Sequence, residues 1–354
     1  MIINWIGSIG QGQGYSGSGE NICVALEKMG VDVRLIGLRQ SHETNLTPEG
    51  LKIKQKPFAL SDIAIVYGLP ASFDSSAGWK YRFGFTMFET DKIPAGKAWA
   101  GRSGNAADSC NFLTRLFVPS KHNKKLFSDS GVSVPIDVVP LGINPDLFPL
   151  MKRSTRKNVF TFLQLGTLSV RKNPGAVLAA FTAVFGKNPN VQLVLKTQGG
   201  GLKHFEFLDN PNIKIIDRYS THEEILSYYQ DADCFVFPSR GEGFGLPPLE
   251  AMATGLPVIV SKNTGMADYA DFKYCYPIRT AKKKPAMHFP PDWGDVGNWY
   301  EPDFDELKAA MRHVYEHREV ANQKALKAAE MVREKYTYEQ TAKKIIEIIS
   351  STVV

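Results

Sequence analysis

The chain has 354 residues, 43% of them hydrophobic and 22% charged, which supplies apolar material for two cores and excludes a disordered polymer. Its net charge of +6 suits anionic small ligands, nucleic acid or an anionic membrane surface and selects none of them. Cys23, Cys110, Cys234 and Cys275 stand far apart and no His lies at zinc-ligand spacing, so neither a disulfide framework nor a metal site is expected, and a reducing compartment is favoured.

In chain order, Ile2–Ile6 reads as a strand and Gly7–Gly19 (GSIGQGQGYSGSG) as a glycine-rich loop. A helix follows over about Glu20–Met29, ended by Gly30, and then a strand over Asp32–Ile36. Further strands are predicted at Ile63–Tyr67, Tyr81–Met87, Arg115–Val118 and Ile136–Val139. The stretch Pro140–Lys157 reads as a linker. After it the alternation restarts: a strand from Val159, a helix from Pro174 to about Phe185, and strands at Val191–Lys196, Ile213–Ile216, Cys234–Phe237 and Pro257–Val260. Three closing helices begin near Asp303, Ala321 and Tyr338. Strands alternating with helices imply parallel α/β sheets with ligands at the carboxyl ends of the strands. The expected division is residues 1–150, residues 151–335, and a last helix over 336–354 that packs back on the first domain. The opening MIINWIGSIG lacks a basic n-region and a cleavage site, and no apolar run approaches the ~18 residues of a membrane span, so a cytoplasmic location is expected.

The most informative stretch is Pro238–Ile259, PSRGEGFGLPPLEAMATGLPVI. A strand runs into a turn with Gly241, Gly243 and Gly245, then a helix begins at Pro247-Pro248. Glycines let backbone approach a ligand, and a helix N-terminus presents N–H groups and positive potential, so the turn suits phosphate. Glu242 in the turn and Glu250 in the helix, with seven residues between them, would repel phosphate but accept hydrogen bonds from hydroxyls. Hydroxyls on both sides of a phosphate describe a nucleotide sugar. A second stretch, Gly166–Pro174 (GTLSVRKNP), carries Arg171 and Lys172 just before a helix start. Two cations are misplaced at the positive end of a helix dipole unless an anion lies between them, and they would neutralise a diphosphate leaving group.

Pro238–Ile259 resembles the E-x7-E signature of the retaining GT-B glycosyltransferases called family four, through Glu242, Gly243, Phe244, Gly245, Leu246, Glu250, Ala251, Gly255, Pro257 and Val258. The resemblance implies a GT-B fold, two Rossmann-like domains facing each other across a cleft. It also implies sugar transfer with retention from a UDP- or GDP-sugar, with no further cofactor. Glu250 would hold the ribose hydroxyls, Glu242 the donor sugar, backbone groups of Phe244, Gly245 and Leu246 the sugar and phosphate, and Arg171 with Lys172 the pyrophosphate. In GT-B enzymes the first loop of the N-terminal domain faces the donor phosphates, which carries over to Gly12, Gly14 and Tyr15. That loop is not a Walker A motif, since no GK[ST] follows.

Within Phe85–Pro94 (FTMFETDKIP), Glu89 stands where many relatives carry a His that touches the donor sugar. It either binds an acceptor or sugar hydroxyl or is a rim carboxylate without a role. Lys121, Lys124 and Lys125 lie on a helix that reads as a solvated face, with weak peripheral membrane contact as the alternative. Lys282–Tyr300 (KKKPAMHFPPDWGDVGNWY) looks like a family-variable insertion, for which the sequence offers no physical account. The default acceptor is a glycan or lipid-linked sugar. The rivals are a hydroxylated base in DNA, a phosphorylase or epimerase on the same scaffold, and a catalytically silent scaffold that binds glycans or partners.

Overall fold

The computed structural model describes residues 1–10, 14–36, 46–94, 106–153, 158–198, 210–287 and 293–353. Its contacts divide the chain into two compact units: Met1–Asn144 with Ala286–Asn298 and Lys335–Val354, and Pro145–Pro285 with Trp299–Glu334.

In the first unit the strands are β1 (Ile2–Gly7), β2 (Asp32–Ile36), β3 (Ile63–Tyr67), β4 (Tyr81–Phe85), β5 (Arg115–Val118) and β6 (Ile136–Val138). They pair in parallel in the order β2-β1-β3-β4-β5-β6. Helices α1 (Gly14–Lys28), α2 (Pro48–Lys54), α3 (Ala106–Asn111) and α4 (Lys121–Asp129) accompany them. Every residue of β3, IAIVY, is buried, the continuous apolar run expected of a parallel strand covered on both faces.

Helix α1 corrects the expectation of a loop reaching Gly19. It begins at Gly14, so half of the glycine-rich stretch is helical. The reason is packing. A Cβ on Gly19 would lie 2.8 Å from the Ser8 carbonyl oxygen and 3.2 Å from the Tyr67 ring, so glycine here lets the helix close onto the sheet. Ser18 beside it shares a 2.6 Å hydrogen bond with the Tyr67 hydroxyl.

The second unit repeats the plan with β7 (Phe160–Leu165), α5 (Pro174–Phe185), β8 (Val191–Thr197), β9 (Ile213–Asp217), α6 (His222–Asp231), β10 (Cys234–Phe237), α7 (Leu246–Ala253), β11 (Val258–Ser261) and β12 (Tyr276–Ile278). These strands are parallel in the order β12-β11-β10-β7-β8-β9. A two-stranded sheet of β13 (Thr280–Pro285) and β14 (Asn298–Pro302) follows, then α8 (Phe304–Glu316) and α9 (Arg318–Lys335). Phe160, Phe162, Val177, Phe181, Leu193 and Met311 sit in one core between α5, α8 and the sheet.

Two late segments belong to the first unit. Residues 286–298 return to the loop after β4. There Val296 is buried with Phe88, Ile93, Leu126 and Phe127. The Thr90 hydroxyl donates to the Val296 carbonyl at 2.5 Å, the Asn298 amide donates to Asp91 at 2.6 Å, and Lys92 pairs with Asp295 at 2.7 Å. The last helix, α10 (Tyr338–Thr352), packs on α1 and buries Ile345 and Ile349.

Candidate functional site

In the second sheet the strand order reverses between β7 and β10, and the crevice outside the carboxyl ends at such a point is where open α/β sheets bind ligands. Arg171 and Lys172 follow β7, and Glu242 follows β10. The turn after β7 is shaped by Gly166 at φ +141° and Asn173 at φ +58°. Gln164 fixes its far end by donating to the Lys172 carbonyl at 2.9 Å.

Glu242 is 6% exposed, and each of its carboxylate oxygens takes one cation. Lys172 Nζ lies 2.8 Å from Oε1, and Arg171 Nη1 lies 2.8 Å from Oε2. The Ser239 hydroxyl adds a 2.7 Å hydrogen bond to Oε1. Burial pushes the carboxyl pKa up, but the Arg171 and Lys172 charges prevail and hold it at about 2. The backbone is anchored as well: the Glu242 amide donates to the Thr264 hydroxyl at 2.9 Å and the Gly265 amide donates to the Glu242 carbonyl at 3.0 Å. Arg171 Nη1 also donates to the Gly241 carbonyl at 2.7 Å, tying the two turns together.

Gly245 caps α7 at φ +91°. A Cβ there would lie 2.6 Å from the Tyr269 hydroxyl and 2.8 Å from Met266, so the position admits only glycine. The Phe244 side chain is buried edge-on against Tyr269. Pro247 and Pro248 have no N–H, so the unpaired donors at this helix start come from Leu246 and the glycine turn before it. Glu250 is half-buried on α7, and Tyr229 of α6 donates to its Oε2 at 3.0 Å. Burial raises its pKa to about 7, against the opposing pull of the Tyr229 hydrogen bond and the Lys172 charge.

In the first unit Gly14 is the exposed first residue of α1, and Gly12 lies outside the described residues. The Tyr15 ring sits 4.8 Å from the Tyr67 ring. Its hydroxyl pKa is pushed well up by burial, with the nearby Glu89 carboxylate adding to the shift. Tyr15 follows the carboxyl end of β1 and Glu89 that of β4. Sequence reasoning did not single out Ser239, Thr264, Tyr229 or Arg240. Ser239 and Arg240 lay inside the motif, whereas nothing local marks Tyr229, which sits on another helix. Among the described residues, no group of three or more His, Cys, Asp or Glu is placed to hold a metal ion, and no helix is long and apolar enough to cross a membrane.

Two six-stranded parallel sheets of this order, each with its helices, are the plan of the GT-B class of glycosyltransferase folds. Residues 150–274 match the family model for glycosyl transferases group 1. The chain is similar to the alpha-monoglucosyldiacylglycerol synthase of Streptococcus pneumoniae, 34% identical over 164 residues, a match covering 42% of this chain and 37% of that protein. The match thus spans little more than a third of the length of this curated relative. Two solved structures share the fold over nearly the whole chain. HepE of Anabaena, in complex with UDP-glucose, has a TM-score of 0.68 at 14% identity and covers 99% of this chain and 100% of its own. The sucrose-phosphate synthase of Thermosynechococcus elongatus has a TM-score of 0.64 at 15% identity and covers 99% of this chain and 98% of its own.

Proposed function

We propose that this protein is a retaining glycosyltransferase that moves a sugar from a nucleotide-diphosphate sugar to a hydroxyl acceptor, a glycan or lipid-linked sugar. The observation that carries the reading is the Arg171–Glu242–Lys172 arrangement at the switch point of the second sheet, with Glu250 on the helix that follows. Arg171 and Lys172 hold the donor diphosphate and stabilise its charge as it departs. The diphosphate takes over cations that Glu242 otherwise occupies, and this frees the Glu242 carboxylate for sugar hydroxyls. Glu250 accepts from the ribose hydroxyls, and the backbone at Phe244, Gly245 and Leu246 meets sugar and phosphate. In the first unit Gly12, Gly14 and Tyr15 serve the donor, and Glu89 serves an acceptor or sugar hydroxyl.

In this reading donor hydroxyls engage both Glu242 and Glu250, which leaves neither carboxylate as a nucleophile. Attack therefore comes from the acceptor itself, on the face the diphosphate leaves. The bond from the anomeric carbon to the phosphate oxygen breaks, the bond to the acceptor oxygen forms, and the acceptor proton passes to the leaving phosphate. A trapped covalent glycosyl-enzyme would overturn this route. UDP-sugars are the first donors to test, because the HepE structure holds UDP-glucose.

The deciding experiment is a thermal-shift screen against UDP-, GDP- and ADP-sugars, with Glu250→Ala in parallel. A donor at 100 times its Kd adds about 2.7 kcal/mol to the wild type. The expected result is a rise of several degrees with one nucleotide, lost in the variant. The reading falls if the wild type responds to none of them.

A further inference from the structure

Arg240 lies between Ser239 and Gly241, two residues before Glu242, and all of its polar groups are committed. Its backbone amide donates to the Arg171 carbonyl at 2.8 Å, and its guanidinium Nη1 donates to the Val170 carbonyl. The remaining edge of the guanidinium forks onto Glu301 of β14, with Nε at 2.7 Å from Oε2 and Nη2 at 3.0 Å from Oε1. Both side chains are only 15% exposed. Lys284 of β13 closes on the same carboxylate at 3.0 Å. The strand is fixed to the turn through its backbone too. The Tyr300 amide donates to the Arg240 carbonyl at 2.9 Å, and the Asn263 side chain donates to the carbonyls of Ser239 and Tyr300 at 3.1 and 3.2 Å.

Arg171, Lys172 and Arg240 crowd two adjoining turns, and Glu242 neutralises only part of their charge. A third cation held against the Val170 carbonyl, one residue from Arg171, would swing out to water unless a carboxylate kept it in place. A planar fork on a carboxylate fixes direction as well as charge, which an ammonium would not do.

We infer that Glu301 is a positioning residue for the diphosphate cations: through Arg240 it holds the Val170–Lys172 turn so that Arg171 and Lys172 converge on one anion. The inference rests on the transferase reading above, since it presumes that these cations bind a diphosphate. It assigns a role to the β13–β14 sheet, which flanks the 286–298 segment and lies outside every sequence motif of the site.

The test is calorimetric binding of UDP, GDP and ADP, and of uridine, guanosine and adenosine, to the full chain as wild type, Glu301→Gln, Arg240→Lys and the double variant. Glu301→Gln keeps shape and one acceptor and removes the charge. The expected result is a loss of about tenfold or more in affinity for the preferred diphosphate, with its nucleoside unaffected. The loss should be non-additive with that of Arg240→Lys, because both act through one contact. An unchanged diphosphate affinity in Glu301→Gln overturns the inference while leaving the transferase reading intact. Equal weakening of nucleoside and diphosphate overturns it too, because that marks a merely structural role. Should Glu301→Gln fail to fold, Arg240→Lys decides by the same comparison. A wild-type chain that binds no diphosphate overturns the transferase reading and this inference together.

Discussion

Glu242 and Glu250 are the same side chain driven to opposite ends of the carboxylate range by their neighbours. Glu242, buried, is met by two cations and held at about 2, while the half-buried Glu250 is met by a phenol and raised to about 7. The consequences for stability have opposite signs. Glu242 contributes stability above its ordinary 4.5, and that contribution is lost as pH falls toward 2. Glu250 is neutral in the fold up to about 7 but ionises near 4.5 when unfolded, so it costs stability progressively as pH rises from 4.5 to 7. Glu250→Gln, which still accepts from Tyr229, should therefore be more stable than wild type by about 1–2 kcal/mol above pH 7, after allowance for partial exposure. The gain should vanish below about pH 4.5. Denaturant unfolding at pH 4 and pH 8 checks it, and equal midpoint differences at both would refute the assignment. The two glutamates stood out in the sequence because glycines and prolines punctuate them. That one is clamped and the other raised was not legible, because Tyr229 and Ser239 reach them only through the fold.

At the scale of elements, every strand of the two sheets but the short edge strand β12 was legible, because parallel strands covered on both faces are unbroken apolar runs, as IAIVY and CFVF show. The glycine-rich stretch misled. Gly, Ser and Gln between Gly7 and Gly19 carry every local signal of a loop, yet α1 starts at Gly14 because contact with Ser8 and Tyr67 outweighs glycine's poor helix propensity. Gly19→Ala sets these effects against each other. Alanine gains roughly 1 kcal/mol in helix propensity, but its methyl meets backbone at 2.8 Å, and overpacking of that kind costs about 1–3 kcal/mol. The net expectation is destabilisation by up to about 2 kcal/mol. Stabilisation measured by urea unfolding would return this residue to a loop.

The whole molecule closes the first unit with segments from the far end of the chain. Ile345 and Ile349 of α10 are fully buried where that helix packs on α1, and a Cβ on Gly142 would lie 2.1 Å from the Thr337 backbone as the chain returns. Ile345→Ala should cost about 2–4 kcal/mol, the range for emptying a core site, even though the residue lies near the chain end. A change under 0.5 kcal/mol in the urea midpoint analysis would mean that α10 is not part of that core.

The sequence by itself determined what local chemistry specifies: α/β alternation, the glycine turn with Glu242 and Glu250, and the Arg171–Lys172 pair. These follow from periodicity, backbone freedom and charge placed a few residues apart. Only the tertiary structure decided which groups meet. It joined Glu242 to Arg171 and Lys172 across some 70 residues, brought Asp91 to Asn298, and set Glu301 against Arg240. Strand order makes such contacts, and strand order depends on how whole sheets bury their faces, a property that no short stretch of sequence carries.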